Sequence, residues 1–171
     1  RLENIVNDIR LFAKPHTDNA IDIKLADAIE ETVELFSNDP EWNQKIRVTA
    51  KMNKKLSVFI DPSHFAQILW NLLKNAAQSI KGHGEIKILL KPSLNNRVHL
   101  SIKDSGTGIH PKDYTHIFDP FYTSKPDGTG LGLSIIHRLI DTYNGVIHFE
   151  STPGKGTVFT VLFKGVPLKT K

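Results

Sequence analysis

The chain of 171 residues has no cysteine. That excludes a disulfide framework and any thiolate metal site, and suits a reducing compartment. No apolar run approaches the roughly 20 residues of a membrane span, and the N-terminus lacks the pattern of a secretory signal, so the expected location is cytoplasmic. Familiar catalytic signatures are missing too. There is no HExxH pair and no GxSxG serine, which removes the common zinc-protease and serine-hydrolase readings. A Walker A loop and the three-glycine dinucleotide fingerprint are both absent by spacing. No basic stripe interleaved with aromatics occurs, so the formal charge of +4 and the pI near 9.2 do not point to nucleic acid. Internal repeats and low-complexity tracts are also lacking.

What is present is ordinary globular composition, 39% hydrophobic and 23% charged. Residues 1–15 place Leu2, Ile5, Val6, Ile9, Phe12 and Ala13 on one face of a helix that Pro15 stops, and 16–20 read as a linker. The first residue is not methionine, which suggests a piece of something longer. From 21 to 166 the pattern is that of one domain, with 167–171 as a tail. Strands are expected at "IDIK", "KIRVTAKM", "LSVFID", "GEIKILLKP", "NRVHLSIKD", "VIHFEST" and "GTVFTVLFKG". Helices are expected at "LADAIEETVELFSND", at "PSHFAQILWNLLKNAAQSIK", and at "LGLSIIHRLIDTYNG" with Gly145 as its C-terminal cap. Strands arriving in pairs with helices between them indicate an α+β fold, helices packed on one face of a mixed, mostly antiparallel sheet.

Three stretches carry chemistry. On the second of these helices, Gln67, Asn71, Lys74, Asn75 and Gln78 recur at intervals of three or four, opposite the apolar stripe. A solvated face explains polar residues, but two asparagines one turn apart are poor helix formers there, and an amide oxygen is a neutral ligand for a magnesium ion carrying phosphate. "DSGTGI" ends an alternating strand. It is either a plain turn or an acidic acceptor, Asp104, followed by glycines that leave room for a flat ring. In "DPFYTSKPDGTGLGLSI", Gly128, Gly130 and Gly132 precede a helix, where free backbone N–H groups and the helix dipole favour a polyphosphate.

"NLLKNA", "DSGTGI", "FDPFYTSK" with "GTGLGLSI", and "GKGT" occur in that order. Together they resemble the N, G1, F, G2 and G3 boxes of the catalytic ATP-binding domain of sensor histidine kinases, nearest in spelling to the nitrogen-regulation class. That family shares its fold with gyrase, the Hsp90 chaperone and MutL. The resemblance spans residues 20–165 and implies a two-layer α/β sandwich of the Bergerat type with ATP and Mg2+ held between helices and a lid, residues 110–127. Carried onto this chain, Asn75 would coordinate the metal, and Asn71 would support the phosphates or the ion. Asp104 would accept the adenine amino hydrogen, Gly106 and Gly108 would shape the base pocket, and Thr157 would assist beside it. Gly128, Gly130 and Gly132 would face the phosphates, and Phe118 and Phe121 would anchor the lid. Lys125 would reach a phosphate and count with Asn71 as catalytic. Lys74, Ile109, Thr129, Leu131 and Leu133 fall in the same boxes and complete the expected nucleotide contacts.

The resemblance also implies partners. The acceptor would be a histidine on a dimerisation domain, of which residues 1–15 would be the last part, in a homodimer that serves a cognate response regulator. None of the eight histidines has the expected acceptor setting, so the acceptor would lie upstream of Arg1. Hydrolysing relatives carry a glutamate where this chain has Asn71, an amide unable to act as a base, so transfer rather than hydrolysis is expected. The alternative, a nucleotide-binding regulator or serine kinase of the anti-sigma type, has no need of the helical stalk.

Overall fold

A computed structural model describes residues 19–125 and 128–166. The stalk 1–15, most of the linker and the tail 167–171 lie outside the described residues. The chain runs β1 (Ile21–Lys24), α1 (Leu25–Asn38), β2 (Ile46–Met52), β3 (Ser57–Ile60), α2 (Pro62–Ser79), β4 (Gly84–Ser93), β5 (Arg97–Asp104), a single 3-10 turn (Pro111–Asp113), α3 (Gly132–Thr142), β6 (Val146–Thr152) and β7 (Gly156–Lys164). Strands β2, β4, β5, β7 and β6 form one sheet in that order, and β1 and β3 form a separate two-stranded ribbon. All ladders of the large sheet are antiparallel except β2 with β4. That exception follows from connectivity, since β3 and α2 lie between the two strands and supply the crossover a parallel pair needs.

The α2 helix is the axis of the second layer. Phe65, Ile68, Leu69, Leu72, Leu73 and Ala76 lie on its buried stripe. It packs on β4, β5 and β7 below and against α1 and α3 on either side. The sheet answers with Ile86, Ile88 and Leu90 from β4 and Val98, Leu100 and Ile102 from β5, all buried at alternate positions. Completely burying one such side chain contributes roughly 1.5–3 kcal/mol, so this interface dominates the fold energetics. Asp61 fastens the start of α2. Its Oδ1 accepts from the Ser63 amide at 2.8 Å and hydroxyl at 2.6 Å, a cap worth about 1 kcal/mol.

The third helix ends differently from its expected form. Helical bonding stops at Thr142, and the left-handed residue is Asn144 (φ 53°), while Gly145 donates to the Ile140 carbonyl at 2.9 Å. Asparagine tolerates that conformation, so the chain turns one residue before the glycine. No helix among the described residues is long and apolar enough to cross a membrane.

Candidate functional site

Because α2 buries one stripe against the sheet, its opposite edge is left to form a wall. Asn71, Lys74, Asn75 and Gln78 line a cavity of about 750 Å³. The floor comes from the end of β5 and the start of β7, through Asp104, Thr157 and Phe159, and the far side from Gly108, Ile109, His110 and Ile117. Residues 122–125 and 128–130, with Gly132 and Leu133, close the remaining side. The volume falls in the range of small-molecule pockets.

Asp104 is only 4% exposed. Its Oδ1 accepts from the Gly106 amide at 2.8 Å, the Ser79 hydroxyl at 3.1 Å and the Thr157 amide at 3.2 Å. No described residue bonds to Oδ2, which leaves one carboxylate oxygen of a cavity-lining residue free to accept from a ligand. Burial pushes the Asp104 carboxyl above its usual range, and the three donors with the Lys125 charge only partly oppose that. Gly156 must be glycine here. Its φ is 89°, and a Cβ would stand 2.1 Å from the Asp104 carbonyl oxygen.

A second network braces the floor from behind. The Ser151 hydroxyl accepts from the Ile109 amide at 2.8 Å, donates to the Gly156 carbonyl at 3.2 Å and lies 2.9 Å from Thr157 Oγ1. The Tyr114 hydroxyl donates to the Ser151 carbonyl at 2.6 Å. The loop after β5 and the β6–β7 turn are thereby locked together.

At the opposite end, α3 starts with no side-chain cap and no acidic residue in its first turn. That helix start stands beside the asparagines: a Cβ on Gly132 would lie 3.6 Å from Asn71 Oδ1 and 4.0 Å from Asn75 Nδ2. An uncapped N-terminus beside neutral amides is suited to an anion. Lys125 Nζ donates to Gln78 Oε1 at 2.7 Å and to Asn75 Oδ1 at 3.3 Å. Burial pulls this lysine down to about 8, with the Lys74 charge acting in the same direction and Asp104 opposing. Asn75 Oδ1 thus accepts from a cationic side chain in this structure.

The expected site residues largely converge, with four placed elsewhere. Gly106 sits behind Asp104 rather than on the cavity wall. Leu131 is 2% exposed, a core residue under the start of α3. Phe118 packs its ring on His137 and Phe149, away from the cavity. Phe121, expected as a second lid anchor, is 70% exposed with φ 66° and anchors nothing. Its backbone is held instead, the Phe121 amide donating to the Gly130 carbonyl at 3.0 Å, and Gly130 (φ 70°) leaves no room for a Cβ against Phe121. The anchoring role passes to Tyr122, whose hydroxyl donates to Asp113 Oδ1 at 2.6 Å. Ser79, Asp113 and Tyr122 were not expected in the site. Ser79 stands four residues after Asn75, a helical interval that would have indicated it.

A family model described as "Histidine kinase-, DNA gyrase B-, and HSP90-like ATPase" matches residues 60–167. The sensor histidine kinase ZraS of Salmonella typhimurium is 36% identical over 162 residues, 94% of this chain and 35% of that protein. Sporulation kinase A of Bacillus subtilis is 33% identical over 95% of this chain and 27% of its own length. The chain thus spans about a third or less of these relatives. Among solved structures, the nucleotide-free catalytic domain of histidine kinase ThkA superposes with a TM-score of 0.75 at 32% identity, covering 85% of this chain and 95% of that one.

Proposed function

The chain is a member of the histidine kinase-, DNA gyrase B- and HSP90-like ATPase family and carries its ATP-binding domain, and from that premise we propose that it transfers the γ-phosphoryl group of Mg-ATP to a histidine on a separate dimerisation domain. The observation that carries the reading is the pairing of a buried carboxylate, one oxygen free, with an uncapped helix start across the same cavity. A purine amino group and a polyphosphate are the two ends of one ligand with those needs.

In this reading Asp104 Oδ2 accepts from the adenine amino group, and Thr157, Gly108 and Ile109 border the base. Asn71 and Asn75 face the phosphates together with the backbone at 130–133. A magnesium ion held through Asn75 Oδ1 would draw charge from the phosphate oxygens. Lys125 and Lys74 supply further positive charge at that end, with Thr129 and Leu133 along the wall. Phosphoryl transfer is mostly positioning and charge stabilisation, so the domain needs no base of its own. Asn71 cannot activate water, which protects the bound nucleotide from hydrolysis. The wider reading places this domain in a cytoplasmic, homodimeric kinase that serves a response regulator, as the resemblance of its sequence boxes to those of sensor histidine kinases implies.

The test is transfer of label from γ-labelled ATP. The isolated chain should stay unlabelled, and an added fragment carrying an acceptor hairpin should become labelled at a rate set by its concentration, because the two are no longer joined. Acid-labile label on the isolated chain would make one of its own histidines the acceptor and end this reading.

A further inference from the structure

The lysine of the lid is doing something in this structure that phosphate binding does not require. Its ammonium is pulled away from solvent onto two neutral amides of α2, Gln78 Oε1 at 2.7 Å and Asn75 Oδ1 at 3.3 Å. Among the described residues it makes no ion pair with a carboxylate, and the charged groups acting on it are Lys74, which repels it, and Asp104, which attracts it. Ordering a long, flexible side chain costs conformational entropy, so a fixed position needs specific acceptors. Gln78 provides the shorter of the two bonds. Gln78 and Lys125 also both line a second, shallower cavity bordered by Trp42, Lys45, Ile46 and Ile80, so their contact stands as the partition between the two spaces.

We propose that Gln78 is a positioning residue that parks Lys125 on the amide face of α2 when nucleotide is absent, so that metal-nucleotide must displace the lysine before the lid can engage it. The inference rests on the Mg-ATP reading of the main cavity. Asn75 Oδ1 cannot serve a lysine ammonium and a divalent cation together, because two positive centres around one oxygen repel strongly in a partly buried site. Arrival of the metal breaks the longer bond. Gln78 then decides how readily the lysine leaves, and the freed ammonium turns to a phosphate oxygen. The bonds made in the empty protein subtract from nucleotide affinity and hold the segment around Lys125 against α2.

A double-mutant cycle tests this. Gln78→Leu keeps the size and helix preference of the side chain and removes only the acceptor. If Gln78 parks the lysine, calorimetry of Gln78→Leu with Mg-ATP should show tighter binding than wild type by roughly 2- to 12-fold, the value of one ordinary hydrogen bond. In a Lys125→Met background the same substitution should change affinity by less than about 1.5-fold, because there is nothing left to park. Hydrogen exchange gives a second readout. Amides at 122–125 should exchange faster in empty Gln78→Leu than in the empty wild type, and equally in the two when Mg-ATP is bound. Weaker binding by Gln78→Leu would instead make Gln78 a nucleotide contact, and an equal effect in both backgrounds would make it merely structural. Either result overturns the proposal. Failure of the wild type to bind Mg-ATP at all would remove the nucleotide reading itself, and the proposal with it.

Discussion

At the scale of single residues, the carboxylate of Asp104 shows how one side chain can be both structural and specific. Oδ1 is saturated by three donors from three different elements, which fixes the plane of the group, and Oδ2 is left facing the cavity. A hydrogen bond to a charged acceptor is worth about 1.5–3 kcal/mol, so Asp104→Ala should cost roughly ten- to a hundredfold in ATP affinity by calorimetry. GTP offers a carbonyl where ATP offers an amino group and should bind the wild type poorly. Tight GTP binding would contradict the assignment. The raised carboxyl pKa adds a pH signature. Protonation of Oδ2 replaces a charged acceptor with a hydroxyl, so affinity should begin to fall on acidification before the ordinary carboxylate range near 4 is reached. An affinity that holds steady to below pH 4 would show that the burial effect is overcome.

At the scale of elements, the lid is two pieces with different anchoring. From 110 to 119 the chain is tied by successive turns, by the Tyr114 bond to the Ser151 carbonyl and by Phe118 packed on His137 and Phe149. From 120 onward the ties are the Tyr122 hydroxyl bond to Asp113, the Tyr122 amide bond to the Asp119 carbonyl, the Lys125 amide bond to the Thr123 hydroxyl, the Lys125 ammonium bonds to α2 and the Phe121–Gly130 backbone bond, most of them within the lid itself. Local opening follows the density of such ties. Amide exchange in the empty protein should therefore be slower at 113–119 than at 121–125, and Mg-ATP should slow only the second group. Uniform exchange across 110–125 would restore the single lid read from the sequence. Composition suggested one mobile stretch because prolines and charges mark it and glycines flank it. The partners of Tyr114 and Phe118, on β6 and α3, are remote in sequence and carry no local signal.

For the molecule as a whole, the cavity is built where two layers part. One wall belongs to α2 and α3, the floor to β5 and β7, and a ligand between them bridges helices and sheet. Anything that binds only the folded chain stabilises it by mass action, so Mg-ATP at a hundred times its Kd should add about 2.7 kcal/mol and raise the thermal midpoint by several degrees. Asn75→Ala should lose the magnesium-dependent part of that rise and keep the midpoint of the empty protein, since the residue lies on the cavity edge and not in the core. A lower midpoint for empty Asn75→Ala would mean that its bond with Lys125 contributes measurably to the fold.

Much of this was already in the amino-acid order. Helix α2 was legible because its apolar stripe repeats at helical spacing over eighteen residues, and the paired strands because β5 alternates and turn residues bound them. The boxes containing Asn75, Asp104 and Gly130 were legible through their joint resemblance, in order, to those of sensor histidine kinases; alone each reads only as a helix edge or a glycine turn. Distant contacts decided the rest. Which oxygen of Asp104 is free depends on Ser79 and Thr157. The outward turn of Phe121 depends on the Gly130 carbonyl, and the resting place of Lys125 on a glutamine 47 residues earlier. Local propensity describes what a segment can form alone, and such placements exist only after α2, the lid and the sheet have packed, when each polar atom must take a partner from those that packing has brought within reach.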